Sequence, residues 1–265
     1  MTEIPIYQID AFTNRPFAGN PAAVCPLESW LPDETLLAIA AENNLAETAF
    51  FVRQGDHFDL RWFTPAVEVE LCGHATLASG ALILERLEPS WEQVAFQTKS
   101  GKLVVKRSHA GRWSLDLPSR PPAPTIVTGD LVEALGSRPT YAFQARDIVA
   151  VYDDAEMVRQ VKPNMNLIAG LPTFAVAITA PGTHQDADVD FVSRFFAPAK
   201  GVPEDPVTGS LHCTLVPYWA DRLGRKQLRA RQVSARGGEL ECTLRDGRVE
   251  LEGGAVMVLE GKMRF

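Results

Sequence analysis

The chain has no long hydrophobic run. Its most apolar stretch, Ala75 to Leu84, is far shorter than the roughly 20 residues a bilayer-spanning helix needs. Basic charge is not in excess: 26 Lys and Arg against 33 Asp and Glu leave a net charge of −7. That argues against nucleic-acid binding through a broad basic surface, while still allowing a small positive pocket for an anionic substrate. Cysteine is scarce. Cys25, Cys72, Cys213 and Cys242 lie far apart, with no Cys-x-x-Cys pair and no zinc spacing. The first residues, MTEIPIYQIDAF, do not pair a basic segment with an apolar one. The expectation is therefore a cytoplasmic protein with reduced thiols, no membrane contact, no nucleic-acid partner and no metal. A phosphate-binding loop and a GxGxxG turn are both missing, and no lysine sits in a context that marks pyridoxal phosphate. No cofactor is expected. Short periods are absent too, which rules out collagen and coiled coil.

What is present is a chain of 265 residues, 46% hydrophobic, enough for one large domain or two of ordinary size. Strands are predicted at Ile4–Phe12, at Ala22–Val24, and in a hairpin of Thr48–Val52 with Asp59–Phe63. Further strands are predicted at Val94–Gln97, Lys102–Arg107 and Arg112–Leu117. A helix opens at Leu31-Pro32-Asp33-Glu34 and ends near Asn43-Asn44, with proline and acidic residues in its first turn. A second helix, Gly73 to Leu87, is apolar nearly all round and must be buried. Leu117-Pro-Ser-Arg-Pro-Pro-Ala-Pro124 reads as a linker. Beyond it, helices are predicted at Asp130–Gly136, at Ala155–Val161 and at Gly209–Leu223, the last with a kink or a shortened first segment at Pro217. Strands follow at Ala142–Val151, Phe174–Ile178, Gln232–Ala235, Glu239–Arg245, Arg248–Leu251 and Val256–Glu260.

The two halves resemble each other. Arg61-Trp-Phe-Thr-Pro-Ala66 matches Arg194-Phe-Phe-Ala-Pro-Ala199 at four of six positions. Each hexamer is followed by an acidic stretch and then by a glycine that opens an apolar helix: Gly73-His74 and Gly209-Ser210. The strands Thr48–Val52 and Thr173–Ala177 are also alike. The inference is a duplicated α+β unit, a mostly antiparallel sheet curled round one apolar helix. Residues 1–117 would form the first half, completed by the C-terminal strand 256–265, and residues 118–255 the second. Two helix N-termini facing across a cleft between the halves would offer free N–H groups to a small carboxylate or phosphate.

Four stretches carry a more specific likeness: Asp10-Ala-Phe-Thr-Asn-Arg-Pro-Phe-Ala-Gly-Asn-Pro21, Ala46-Glu-Thr-Ala-Phe50, Cys72-Gly-His-Ala75 and Glu204-Asp-Pro-Val-Thr-Gly-Ser210. In order and spacing they resemble the PhzF (phenazine biosynthesis) family. The resemblance implies the diaminopimelate-epimerase-like fold and a cofactor-independent isomerase or epimerase. It implies that Glu47, just before an apolar strand, is the general base; the residues alone favour an exposed turn glutamate. His74 would hold substrate or shuttle a proton, because imidazole titrates near neutrality. Asp205 would bind substrate or relay a proton; its ordinary reading is loop chemistry. Gly73, Gly209 and Ser210 would donate N–H and O–H groups, and Asn20 would touch substrate. Cys72 stands where the related diaminopimelate epimerases carry a catalytic thiol. A second thiol near Thr208 is missing, and Cys213 reads as a packing residue. Two alternatives stay open: a thiol-dependent amino-acid epimerase using Cys72, and a non-catalytic module that binds small carboxylates or a protein. His212 is a further candidate to line the site. A homodimer is implied by the resemblance only.

Overall fold

Two stretches of chain, Met1–Leu117 with Glu250–Phe265, and Pro118–Val249, form separate compact units. A computed structural model describes residues 1–109 and 111–265.

The first unit is built on alternating apolar segments. β1 (Glu3–Ala11) pairs antiparallel with β2 (Asn20–Leu27) on one side and with the C-terminal strand Ala255–Arg264 on the other. Helix α1 (Asp33–Asn43) crosses over to β3 (Glu47–Gln54), which runs parallel to β2. β3 forms a hairpin with β4 (His57–Phe63), and β4 carries both the two-residue β5 (Glu68–Val69) and the parallel β6 (Gln93–Thr98). β7 (Gly101–Arg107) and β8 (Trp113–Pro118) complete the antiparallel run. Between β5 and β6 lies α2 (Gly73–Leu82), all of whose residues are buried. It packs against β1, β2, β3, β7 and the C-terminal strand, so the sheet wraps round it. The approach is close: a Cβ on Gly80 would lie 2.5 Å from the Val105 side chain, which only glycine avoids. The outer face is covered by α1, where Leu36, Ile39 and Ala40 pack on Cys25, Phe50, Val52 and Phe63.

The second unit repeats the order. β9 (Ala123–Thr125), β10 (Tyr141–Gln144) and β11 (Ile148–Val151) are antiparallel neighbours, and β12 (Val176–Pro181) runs parallel to β11 as β3 does to β2. β12 pairs antiparallel with β13 (Phe191–Ala197). That strand carries β14 (Val202–Asp205) and the parallel β15 (Gln227–Gln232), itself paired with β16 (Gly238–Arg245). Helix α6 (Gly209–Leu223) sits between β14 and β15. Three short helices, α3 (Gly129–Leu135), α4 (Ala155–Gln160) and α5 (Met165–Gly170), cover the other face through Leu131, Leu135, Val158 and Ile168.

The hexamer repeat has a physical counterpart in each unit. Arg61 on β4 grips Glu68 with two hydrogen bonds of 2.8 and 3.0 Å, and its guanidinium lies 5.0 Å from the Phe63 ring. Arg194 on β13 grips Glu204 at 2.7 and 2.9 Å and lies 5.0 Å from Phe196. The same fork thus fixes the strand before each buried helix.

Several elements differ from the sequence expectation. Ala142–Val151 is a hairpin, not one strand: Arg146 turns back onto Asp147 in a two-bond fork that closes the turn. The helix expected over Gly73–Leu87 ends at Leu82, and Ile83–Leu87 widens into a π turn. Pro217 neither splits nor shortens α6. Proline leaves the carbonyl of Cys213 without its helical donor, and the Arg120 N–H takes that place at 2.8 Å. The strand expected at Gln232–Ala235 lies earlier, at Gln227–Gln232, and α5 was not anticipated.

Candidate active site

In the first unit, register brings the polar groups to one end of the sheet. Asn20 and Glu47 are the first residues of the neighbouring parallel strands β2 and β3, with Ala22 opposite Glu47. Gly19 sets the entry to β2. Its backbone is left-handed, with φ +64°, and a Cβ there would strike the Ala11 carbonyl at 2.1 Å. Ahead of it, the buried Asp10 carboxylate accepts from the Phe17 N–H at 2.8 Å and shapes the Phe12–Gly19 loop. Cys72 is the N-cap of α2, Gly73 its first residue and His74 its second.

These residues converge on the His74 ring. Asn20 Nδ2 lies 3.1 Å from Nδ1, and Cys72 Sγ lies 3.4 Å from the same nitrogen. On the opposite edge, Nε2 is 3.4 Å from Glu47 Oε2. The angle there does not make a hydrogen bond, and His74 Nε2 has no hydrogen-bond partner among the described residues. Asn20, Cys72 and His74 are buried, and the Glu47 side chain keeps 18% of its exposure, with its Oε2 buried. Burial holds the His74 imidazole down at about 3, with the Pro21 carbonyl opposing, so the ring is neutral at physiological pH.

In the second unit, Asp205 ends β14 and Thr208 is the N-cap of α6, followed by Gly209 and Ser210. Gln232, fully buried at the end of β15, locks this loop. Its Oε1 accepts from the Thr208 N–H at 2.9 Å, and its Nε2 donates to the Asp205 carbonyl at 2.7 Å and to Thr208 Oγ1 at 3.1 Å. Thr208 Oγ1 in turn donates to the Asp205 carboxylate at 2.5 Å. Ser210 Oγ accepts from Arg146 at 3.2 Å. His212 is committed: its Nδ1–H donates to the Thr208 carbonyl at 2.8 Å, and burial holds its pKa at about 4. Cys213 is buried, and its thiol is pushed up to about 11 by that burial, as Cys25 is to about 12. None of the four cysteines, all buried, forms a disulfide.

Sequence reasoning missed Gln232, Thr208 and Arg146. A glutamine at a strand end carries no local signal; only the fold turns it inward. Replacing Gln232 by Leu leaves the buried Thr208 N–H without an acceptor and is expected to cost about 1–3 kcal/mol. The urea midpoint, followed by circular dichroism, measures it; an unchanged midpoint would remove Gln232 from this role.

The two buried histidines also set a pH dependence. In the unfolded chain they titrate from the ordinary value of 6.5, whereas in the fold they stay neutral down to about 3 and about 4. Below 6.5 the unfolded state therefore binds more protons, and stability falls as pH drops from 6.5 toward 4. His212→Gln is expected to flatten that decline in melting temperature; a slope equal to wild type would contradict the assignment.

Residues 9–261 match the family model described as phenazine biosynthesis-like protein, PhzC-PhzF. The chain belongs to the phenazine biosynthesis-like (PhzF) family. A Pseudomonas aeruginosa protein named as an uncharacterized isomerase is 47% identical over 264 residues, covering 99% of both chains. The crystal structure of a PhzF-family protein from Enterococcus faecalis superposes with a TM-score of 0.95 at 40% identity, covering 100% of both chains. A probable proline racemase from Agrobacterium radiobacter shares the fold alone, with a TM-score of 0.68 at 12% identity and 99% and 92% of the two chains covered. The PhzF chain thus has an epimerase-like fold and relatives named as isomerases, which supports an isomerase role in general. No described helix is long and apolar enough to cross a membrane.

Proposed function

We propose that this PhzF-family protein moves a proton on carbon of a small carboxylate-bearing metabolite, without a cofactor, and that Glu47 is the general base. The observation that carries this reading is the Glu47 carboxylate, partly exposed and 3.4 Å from a buried, neutral imidazole. A carboxylate removes a proton from carbon effectively when its surroundings are partly apolar and a neighbouring donor can stabilise it. Asn20 donates to His74 Nδ1, which keeps the ring proton on Nε2, on the edge that faces Glu47. A small rotation of the ring aligns that N–H with the carboxylate. The first N–H groups of α2, from Gly73 onward, bind the substrate carboxylate or the charge that develops on it. In the second unit, the N–H groups that open α6 at Gly209, with the Ser210 hydroxyl, suit a carboxylate in the same way, and Asp205 serves as a second acid–base group.

A thiol mechanism through Cys72 is the second reading, favoured by the 3.4 Å approach of its Sγ to His74 Nδ1. The test is a metabolite extract incubated with the protein in D2O and read by mass spectrometry, with Glu47→Gln in parallel. A carboxylic acid converted or deuterated by wild type and not by Glu47→Gln supports the proposal. Conversion at the wild-type rate in Glu47→Gln overturns it.

A further inference from the structure

The same three side chains that meet at His74 also form a ligand set. Glu47, Cys72 and His74 each bring one ligand atom, and these atoms lie within 4.8 Å of one another. Around a tetrahedral zinc, with bonds of about 2.0–2.3 Å, neighbouring ligand atoms lie about 3.3–3.6 Å apart. His74 Nε2 to Glu47 Oε2 and His74 Nδ1 to Cys72 Sγ, both 3.4 Å, already show that spacing, each at its own ring nitrogen; a turn of the Cys72 side chain toward Nε2 brings the three donors onto one cation. The alignment agrees. His74 Nε2 and Glu47 Oε2 are close yet do not point at each other, and His74, 4% exposed, leaves Nε2 without a hydrogen-bond partner among the described residues. A buried nitrogen in that condition is costly unless a ligand meets it. Asn20 lies 3.1 Å from the other ring nitrogen; with its amide turned over, Oδ1 accepts an Nδ1–H and leaves Nε2 unprotonated for the cation, the tautomer that metal-bound imidazoles take.

We infer that Glu47, Cys72 and His74 form a binding site for a soft divalent cation, zinc or cadmium rather than magnesium or calcium. Thiolate and imidazole donors select for this class. Charge also balances: a dication, a thiolate and a carboxylate sum to zero, so the buried complex carries no net charge. Binding takes the proton from the Cys72 thiol and releases it to solvent. Three protein ligands leave a fourth position for water, as in open zinc sites. The consequence for activity rests on the function proposed above: a cation held by Glu47 and His74 occupies the base, so zinc is a reversible inhibitor of the isomerase. The binding itself does not depend on that reading.

The experiment uses the full chain stripped with EDTA and titrated with Co2+, then with Zn2+ as competitor, with no substrate present. Wild type is expected to bind one equivalent with the intense visible bands of tetrahedral cobalt and a thiolate-to-cobalt charge-transfer band, both lost on adding Zn2+. Cys72→Ser should abolish the charge-transfer band, and His74→Gln should weaken Co2+ binding at least tenfold. Cys242→Ser should leave the spectrum unchanged. X-ray absorption of the zinc-loaded wild type, which needs no variant, is expected to show one sulfur neighbour at about 2.3 Å. No charge-transfer band in wild type, a band that survives Cys72→Ser, or zinc without a sulfur neighbour would each overturn the site. Glu47→Gln turnover tests the proton-transfer reading separately, so the two can fail independently.

Discussion

Glu47→Gln is expected to lower turnover of the true substrate roughly 10²- to 10⁴-fold, the range that a positioned general base contributes. The replacement is close in shape. It keeps the first position of β3 and its register with β2, so the sheet should form as before. What it removes is the carboxylate that accepts the proton. Substrate binding should change much less, because the N–H donors at the start of α2 belong to the backbone. The expected pattern is therefore a loss in kcat with KM nearly unchanged. A protein that only binds carboxylates would keep its affinity in this variant and convert nothing in either form.

The largest expected effect on stability is at Trp219. Its ring is fully buried in α6 and stacks on Phe191 at 5.6 Å with planes 6° apart. Its indole N–H donates to Thr179 Oγ1 on β12 at 3.1 Å. Trp219→Ala empties that volume and removes one of the two hydrogen bonds of Thr179 Oγ1, which still donates to the Val192 carbonyl at 2.7 Å, and should cost about 3–5 kcal/mol. Trp219→Phe keeps an aromatic ring against Phe191 and should cost roughly half as much. Urea unfolding followed by far-ultraviolet circular dichroism distinguishes them. Equal losses for the two variants would mean that the hydrogen bond, not the packing, dominates.

Much of this fold was legible because local pattern and burial agree. β4 alternates and pairs with the apolar β3 across Gly55-Asp56, and α1 begins with proline and two acids. α2 is apolar on every face, and the structure buries it on every face. Where the reading failed, a long-range partner decided. Pro217 sits in a continuous helix only because Arg120 supplies a donor from elsewhere in its unit. Gln232 hid the true position of β15: Leu228, Ala230 and Gln232 all face inward, and a buried polar residue in the third place masks the period of two. The Arg146–Asp147 fork closes a turn inside what reads as one apolar strand.

The candidate site was legible for a different reason. Asn20, Glu47, Cys72 and His74 lie in motifs that resemble a known family, and the structure brings these four together. Asp205, Gly209 and Ser210 fall together around the start of α6. The ligand geometry was not legible. Cys72-x-His74 is no metal motif by itself, and its third member is a glutamate from a different strand. Gln232 and Arg146, which hold the second group in place, have neighbours in sequence that say nothing of their role.

The most direct test of the account uses the purified substrate, once found, deuterated at the carbon that loses its proton. Conversion is followed by NMR with wild type, Glu47→Gln and Cys72→Ser. The account predicts slower turnover of deuterated than of ordinary substrate by wild type, turnover at least about a hundredfold lower by Glu47→Gln, and continued turnover by Cys72→Ser. Turnover at the wild-type rate in Glu47→Gln, with Cys72→Ser inactive, would contradict it and assign the proton to the thiol.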